Sequence, residues 1–367
     1  MTFEETDAFF MTRALELAQR GLWTTSPNPR VGCVLVRDGQ KVGEGWHEKA
    51  GEPHAEVHAL RQAGVSARGA TAYITLEPCS HTGRTPPCAD ALIAAGVVRA
   101  VVAMEDPNPL VAGRGLARLR AAGVAVEVGL EGEAARALNS GFVRRMVQGR
   151  PWVRAKLALS LDGKTALGNG VSQWITGMAA RTEGHRWRAR SCAVATGGGT
   201  VQKDNPALTV REVATARQPL RLVLDPRLET PTDARLLGAG GKTTLFVGSG
   251  VSAARRAAMR QRGAEIVELP EKGGRLDLTA WVLEWGKMGL NEVLVEAGPR
   301  LTGALLEAGL VDEMLLFIAP MLLGEGSLGA VVWHQALTAL EQGVQLEVKE
   351  WTALERDWLV RAEVRSG

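Results

Sequence analysis

The chain predicts two consecutive α/β domains, and three observations predict them. Its 367 residues are long for one domain and suit two, each able to bury a core. Short apolar runs alternate with stretches of helical periodicity, the β–α–β rhythm of a largely parallel sheet covered by helices. That rhythm pauses at QGRPWV, where Gly149 and Pro151 mark a boundary, and then starts again. The predicted domains are therefore residues 1–149 and 150–367.

An amphipathic helix opens the chain, with Phe9, Leu15, Ala18 and Leu22 on one face. VGCVLV (31–36) and TAYITL (71–76) read as buried strands, joined through the turn RDGQ and a helix at HAEVHALRQAG. CADALIAAG comes next as helix, RAVVAM (99–104) as strand, GLARLRAAG as helix and VAVEVGL as strand. Gly64, Gly96 and Gly123 each stand where a helix closes. EGEAARALNSGFVRRM is a further helix. Past the boundary, strands are expected near 152–159, 192–197, 220–225, 243–248, 264–269, 292–296 and 313–319. Helices are expected at 178–190, 252–263, 278–289 and 301–309, and the tail VQLEVKEWTALERDWLVRAEV reads as a closing antiparallel hairpin. No internal repeat is visible.

Composition excludes several classes. The chain is 46% hydrophobic and 23% charged, that of a soluble globular protein. A formal charge of +3 is too small to argue for nucleic acid, and no basic cluster alternates with aromatics. No apolar run approaches the roughly 20 residues that span a bilayer. The N-terminus is acidic and then amphipathic, which is not a secretory signal. Cysteines 33, 79, 88 and 192 do not form a disulfide framework in a chain this long, so a reduced, cytoplasmic protein is expected. Cys33 and Cys192 lie inside apolar strands and read as core.

Cys79 and Cys88 read differently. They flank EPCSHTGRTPPC (77–88), one helix and one strand beyond His54-Ala55-Glu56. One imidazole and two thiolates suit zinc, and three protein ligands leave a fourth position open for a water whose pKa falls towards 7. Glu56 then carries protons without ligating the metal. H-x-E followed by Pro-Cys is the pattern of zinc nucleobase deaminases. The alternative is a closed structural site with His58 or His81 as fourth ligand. His54 and His58 also stand at i and i+4, as in zinc proteases, but Glu56 falls at the wrong place for that motif and two cysteines are foreign to it. The eight residues between the cysteines must loop out, with Gly83 permitting the bend and Pro86-Pro87 stiffening it. Arg84 on that loop suits an anionic substrate group. GAGGKTT (238–244) ends like a phosphate-binding loop, but Leu236 stands where its first glycine belongs, so nucleotide hydrolysis is rejected.

Seven further motifs extend the pattern: SPNPRVG (26–32), GWHEKAGEPHAE (45–56), EDPNP (105–109), KLALSLDGKTA (156–166), SQWIT (172–176), TVQKDNPALTVR (200–211) and VEAGPRL (295–301). With PCSHTGRTPPC they make nearly the whole chain resemble the bifunctional riboflavin-biosynthesis deaminase–reductases. The resemblance implies a cytidine-deaminase-like α/β/α layer followed by a dihydrofolate-reductase-like α/β domain. It implies deamination of 2,5-diamino-6-(5-phosphoribosylamino)pyrimidin-4(3H)-one, then NADPH-dependent reduction of the ribosyl chain to ribityl. One Zn2+ per chain, phosphoribosyl pyrimidines as small-molecule substrates and a homo-oligomer, dimer or tetramer, are part of that expectation; nucleic acid and membrane partners are not.

Carried over residue by residue, the resemblance makes His54, Cys79 and Cys88 the zinc ligands and Glu56 the proton shuttle. Asn28, His47, Arg84, Asp106 and Asn108 hold the deaminase substrate, with Arg84 and His47 facing the ribose phosphate. Lys156, Ser172, Arg188, Leu208, Arg211 and Glu296 face the reductase substrate. Ala158, Trp174, Thr200, Asp204 and the run Gly298, Pro299, Arg300, Leu301, Thr302, Gly303 and Ala304 hold NADPH. In the residues themselves, EVLVEAGPRLTGALL reads as strand, glycine turn and helix, whose N-terminal N–H groups can receive a phosphate. Three departures stand out: Arg84 where some members carry lysine, Ala297 where glycine is frequent, and three glycines at 197–199. Two rivals remain at this point, a deaminase of a nucleic-acid base and a non-catalytic zinc and dinucleotide-binding protein. Glu56 argues against the second, since a structural zinc needs no glutamate beside its histidine.

Overall fold

The first helix, α1 (Glu5–Gln19), buries Met11, Ala14, Leu15, Leu17 and Ala18. Phe9, expected on that face, is 70% exposed, because the buried stripe, on Met11, Ala14 and Ala18, is centred about half a turn from it. The structure, a computed structural model, describes residues 3–80, 87–109, 111–238 and 240–365. The chain divides into two units, Met1–Gly149 and Arg150–Gly367.

In the first unit α1 is followed by β1 (Gly32–Arg37), β2 (Gln40–Trp46), α2 (Ala55–Ala63), β3 (Thr71–Ile74), α3 (Cys88–Ala94), β4 (Arg99–Val102), α4 (Arg114–Ala121), β5 (Ala125–Val128), α5 (Gly132–Leu138) and α6 (Ser140–Gln148). The strand order is β2-β1-β3-β4-β5. β3, β4 and β5 run parallel, but β1 is antiparallel to both β2 and β3, so this sheet is mixed rather than largely parallel. The turn causes part of this. Asp38 and Gly39 both take positive φ, 51° and 74°, the backbone of a tight two-residue hairpin, which folds β2 straight back along β1.

β2 is a strand that the sequence conceals. Gly43 and Gly45 weaken the strand pattern of QKVGEGW, yet both are required by α2. A Cβ at Gly43 would run into the Ala59 carbonyl, and one at Gly45 into the Ala55 carbonyl at 2.7 Å. The helix expected over EGEAARALNSGFVRRM is likewise broken into α5 and α6. At the break the buried Asn139 accepts a hydrogen bond from Arg30 N (2.8 Å) and donates to Arg30 O (2.9 Å).

The second unit runs β6 (Trp152–Ser160), β7 (Lys164–Ala166), α7 (Met178–Arg190), β8 (Ala193–Gly197), α8 (Gly198–Asp204), β9 (Leu220–Leu224), α9 (Arg235–Gly238), β10 (Thr243–Val247), α10 (Ala253–Gln261) and β11 (Ala264–Glu268). It continues with β12 (Glu271–Lys272), β13 (Arg275–Leu276), α11 (Leu278–Lys287), β14 (Glu292–Val295), α12 (Pro299–Glu307), β15 (Glu313–Ala319), β16 (Leu328–Gly329), β17 (Leu346–Leu354) and β18 (Asp357–Val364). Its nine-stranded sheet has the order β11-β10-β9-β8-β14-β6-β15-β18-β17. Every neighbour pair from β11 to β15 is parallel, and the tail closes the sheet as the expected antiparallel hairpin. Trp281, Trp285 and Phe246 fill the core on one side of this sheet, and a buried Arg154 ties β6 to Glu292 on β14 (2.7 Å) and Glu313 on β15 (2.6 Å). The chain order reverses around β14, so a crevice opens beyond the C-terminal ends of β8, β14 and β6, where open α/β sheets bind ligands.

Candidate active sites

His54 is the N-cap of α2, Cys79 lies beyond the end of β3, and Cys88 is the first residue of α3. One ligand atom from each lies within 4.8 Å of the others. His54 Nδ1 stands 3.4 Å from Cys88 Sγ and 3.7 Å from Cys79 Sγ. A tetrahedral zinc with ordinary bond lengths sets nitrogen and sulfur ligands about 3.6 Å apart, so the donor set fits the ion in kind and spacing. The Cys88 N–H also donates to Cys79 Sγ (3.3 Å). Hydrogen bonds from Cys88 and then from His54 pull the Cys79 thiol well below its usual range, against the cost of burial. His58 is not among the three clustered residues. His81, Gly83, Arg84 and Pro86 lie outside the described residues.

Glu56 sits in the first turn of α2, 3% exposed, and its Oε2 has no hydrogen-bond partner among the described residues. Burial raises its pKa, with the nearby His54 pulling the other way. A buried carboxyl poised nearer neutrality beside the ligand cluster is suited to taking and giving protons. Asn28 and His47 are also brought here: the Asn28 amide donates to His47 Nε2 (3.1 Å), and the His47 and His54 rings meet edge to face at 5.3 Å. His47 Nδ1 in turn donates to Pro53 O (3.1 Å), which fixes the tautomer. Burial lowers the His47 pKa, and both ring nitrogens are engaged, so the ring as placed is neutral and offers no free nitrogen to a phosphate. Asp106 and Asn108 lie on the loop after β4, where Asp106 Oδ1 accepts from Asn108 N (2.8 Å). The sequence reading missed Glu77, whose buried carboxylate accepts from the backbone of that loop.

In the second unit a cleft of about 1210 Å³ opens at the crevice beyond β8, β14 and β6. It exceeds the roughly 300–1,000 Å³ of ordinary ligand pockets and leaves room for a dinucleotide and a second ligand. Lys156, Ser172, Arg188, Leu208, Arg211 and Glu296 all line it, as do Ala158, Trp174, Thr200, Asp204, Gly298, Pro299, Arg300 and Leu301. Thr302, Gly303 and Ala304 do not. The Thr302 hydroxyl turns back to the Ala297 carbonyl (3.5 Å), and Gly303 lies against the backbone of Val332, so α12 presents only its first turn to the cleft. The three glycines at 197–199 form the entry to α8.

At the base of the cleft Arg188 forms two hydrogen bonds with Glu296, Nε to Oε1 at 2.5 Å and Nη2 to Oε2 at 2.8 Å. Burial alone would raise the Glu296 pKa, but Arg188 outweighs it and holds the carboxyl down at about 2. Burial lowers the Lys156 pKa, opposed by Glu296, and its ammonium lies 5.7 Å from the Phe317 ring centroid. His185, Arg181, Lys203 and Arg235 line the same cleft without having been singled out from the sequence. A signal existed for two of them: Arg181, His185 and Arg188 recur at helical spacing and share one face of α7. His185 Nδ1 accepts from Arg211 N (3.2 Å), and burial, then Arg188 and Arg211, push its pKa down to about 4.

Residues 151–360 match the family model for the RibD C-terminal domain, and residues 4–104 that for the cytidine and deoxycytidylate deaminase zinc-binding region. The riboflavin biosynthesis protein RibD of Escherichia coli K12 is 50% identical over 359 residues, covering 94% of this chain and 95% of that protein. Its counterpart in Aquifex aeolicus is 42% identical over 357 residues, 97% and 98% of the two chains. Among solved structures, form 1 of Acinetobacter baumannii RibD gives a TM-score of 0.91 at 42% identity over 99% of both chains. The Thermotoga maritima diaminohydroxyphosphoribosylaminopyrimidine deaminase/5-amino-6-(5-phosphoribosylamino)uracil reductase gives 0.86 at 31% identity over 98% and 99%. The chain thus belongs to the RibD family of bifunctional riboflavin-biosynthesis enzymes, with a zinc-dependent deaminase domain followed by a pyrimidine reductase domain.

Proposed function

We propose that residues 1–149 deaminate 2,5-diamino-6-(5-phosphoribosylamino)pyrimidin-4(3H)-one and that residues 150–367 reduce the ribosyl chain of the product to ribityl. The observation that carries the first half is the cluster of His54, Cys79 and Cys88 beside a buried, half-unpartnered Glu56. These three residues would hold the zinc, whose chemistry when bound is to activate a water at neutral pH. Glu56 takes a proton and returns it to the departing amine, and its raised pKa suits both directions. Asn28, Asp106 and Asn108 read the pyrimidine edge, His47 orients Asn28, and Arg84 takes the phosphate.

In the second unit Ala158, Trp174, Thr200, Asp204 and the turn Gly298–Leu301 would hold NADPH, which supplies a hydride. The N-terminus of α12 receives a phosphate. Lys156, Ser172, Arg188, Leu208, Arg211 and Glu296 hold the sugar and its phosphate, with Glu296 kept ionised by Arg188. The test is the purified, zinc-loaded protein on the pyrimidine intermediate, with ammonia and NADPH followed together. Ammonia release followed by an equal consumption of NADPH is expected; NADPH oxidation with no ammonia would overturn the first assignment.

The reading includes a cytoplasmic homo-oligomer. Among the described residues no helix is long and apolar enough to cross a membrane. The edge strand β17 leaves Val348 54% and Trp351 62% exposed, a surface suited to a second copy. Light scattering checks this, with a monomer at micromolar concentration as the contrary result.

A further inference from the structure

Glu77 opens the EPC segment and is 4% exposed. An ionised carboxylate costs much to bury unless charges or hydrogen bonds compensate it. No cation pairs with it among the described residues, and backbone N–H groups compensate it instead. Oε1 accepts from Gly115 N (2.8 Å) and Leu116 N (3.3 Å), and Oε2 from Gly113 N (2.9 Å) and Asp106 N (3.1 Å).

Three of these donors are the free N–H groups at the start of α4, whose own N-cap, Gly113, has no side chain to satisfy them. Glu77 caps that helix from the loop that follows β3. Its fourth bond goes to Asp106, at the other end of the same loop. The carboxylate therefore clamps both ends of residues 106–113, the segment that carries Asp106 and Asn108. Within it Asp106 Oδ1 fixes Asn108 N at 2.8 Å. The clamp stands two residues before Cys79, and its own N–H is held by the Met104 carbonyl (3.0 Å). Gly115 packs so tightly on Pro78 that a Cβ there would strike the Pro78 carbonyl. The metal cluster and the loop thus share one joint, and Glu77 is its pin.

From this geometry we infer that Glu77 is a positioning residue of the deaminase, setting the Asp106–Asn108 loop at a fixed distance from the metal cluster. The inference rests on the deaminase assignment above. It explains why a carboxylate is needed: four N–H donors face two oxygens, whereas a glutamine would turn its NH2 towards two of them.

The test uses the full-length, zinc-loaded enzyme. Glu77→Gln should lower deaminase kcat/KM by roughly 10- to 100-fold, mostly through KM, because a displaced loop misplaces the substrate while His54, Glu56, Cys79 and Cys88 stay intact. Zinc should remain at one per chain, and NADPH oxidation on supplied deaminated product should be unchanged. In an Asn108→Ala background, Glu77→Gln should cost no more than about a further twofold, since the two act through one loop. Should Glu77→Gln fail to fold, Glu77→Asp, which keeps the charge but is one methylene shorter, decides by the same readouts. Wild-type kcat/KM in the variant, a loss confined to kcat, or fully multiplicative effects in the double variant overturn the inference while leaving the deaminase assignment standing. A wild-type enzyme that releases no ammonia overturns both.

Discussion

Glu56 and Lys156 are buried ionisable groups, and burial moves each towards its neutral form, the carboxyl upwards and the ammonium downwards. For Glu56 the consequence is chemical. Glu56→Gln keeps the shape but cannot carry a proton, so ammonia release should fall by about 10²–10⁴ with zinc still at one per chain. Unchanged turnover in the metal-loaded variant would remove Glu56 from the mechanism. The same residue shows what could be read in advance. Histidine, cysteine and glutamate at this spacing announce their chemistry by type, and the fold only had to bring 54, 56, 79 and 88 together. Glu77 announces nothing, because a carboxylate satisfied by backbone N–H groups depends on partners 29 to 39 positions away, donors that every non-proline residue carries. The partners of His47 were hidden for a related reason. Its type suits a phosphate, but its tautomer is set by Pro53 and Asn28, and neither contact is visible in the chain order.

Secondary elements were legible where apolar period decided them and illegible where close approach did. The parallel strands of the second unit follow from their apolar runs, and the tail hairpin from its alternation. β2 was hidden because α2 demands glycine at 43 and 45, and the α5–α6 break because a single buried asparagine competes with helix continuation. The first of these has a functional edge, since α2 carries His54 and Glu56. Gly45→Ala should push the first turn of α2 off β2, lowering zinc affinity and ammonia release by about tenfold or more, with NADPH oxidation unaffected. Equal zinc affinity by competition titration would show that the contact yields. A second joint acts on stability. Asp7 of α1 accepts from Tyr73 on β3 (2.7 Å) and from Arg99 on β4 (2.7 and 2.9 Å). The Arg99 hydrogen bonds hold its pKa far below the ordinary range, against burial and with help from Tyr73. A depressed folded-state pKa stabilises fully above the unfolded value, about 3.9, and is lost as pH falls below it. Asp7→Asn should therefore cost about 3 kcal/mol at pH 7 and less at pH 3. Denaturant melts of the first unit at both pH values check this; an equal cost at both would remove the charge from the account.

The division of the chain has a consequence for both activities. The buried cluster of the first unit runs from Met11 to Phe142, and those of the second begin at Val153. Each set is closed within its own unit, and each unit has the length of an independent domain. Gly149 ends α6 with φ 68°, a helix stop that satisfies its own N–H on Arg145 O (2.9 Å). Arg150 belongs to the second unit, pairing with both oxygens of Asp312 at 2.7 and 2.8 Å. A cut after Gly149 therefore leaves the Arg150–Asp312 pair whole within the second piece. The clustered His54, Cys79 and Cys88 stay with residues 1–149, and every residue of the 1210 Å³ cleft with residues 150–367. The first piece alone should bind one zinc and release ammonia from the pyrimidine intermediate, within about tenfold of the full-length rate and without oxidising NADPH. The second piece should oxidise NADPH only when given the deaminated product. Circular dichroism and zinc content establish that each piece is folded before its activity is read. A folded, zinc-loaded first piece that releases no ammonia would mean that the deaminase site is completed by the rest of the chain, and the two activities could no longer be assigned one to each unit.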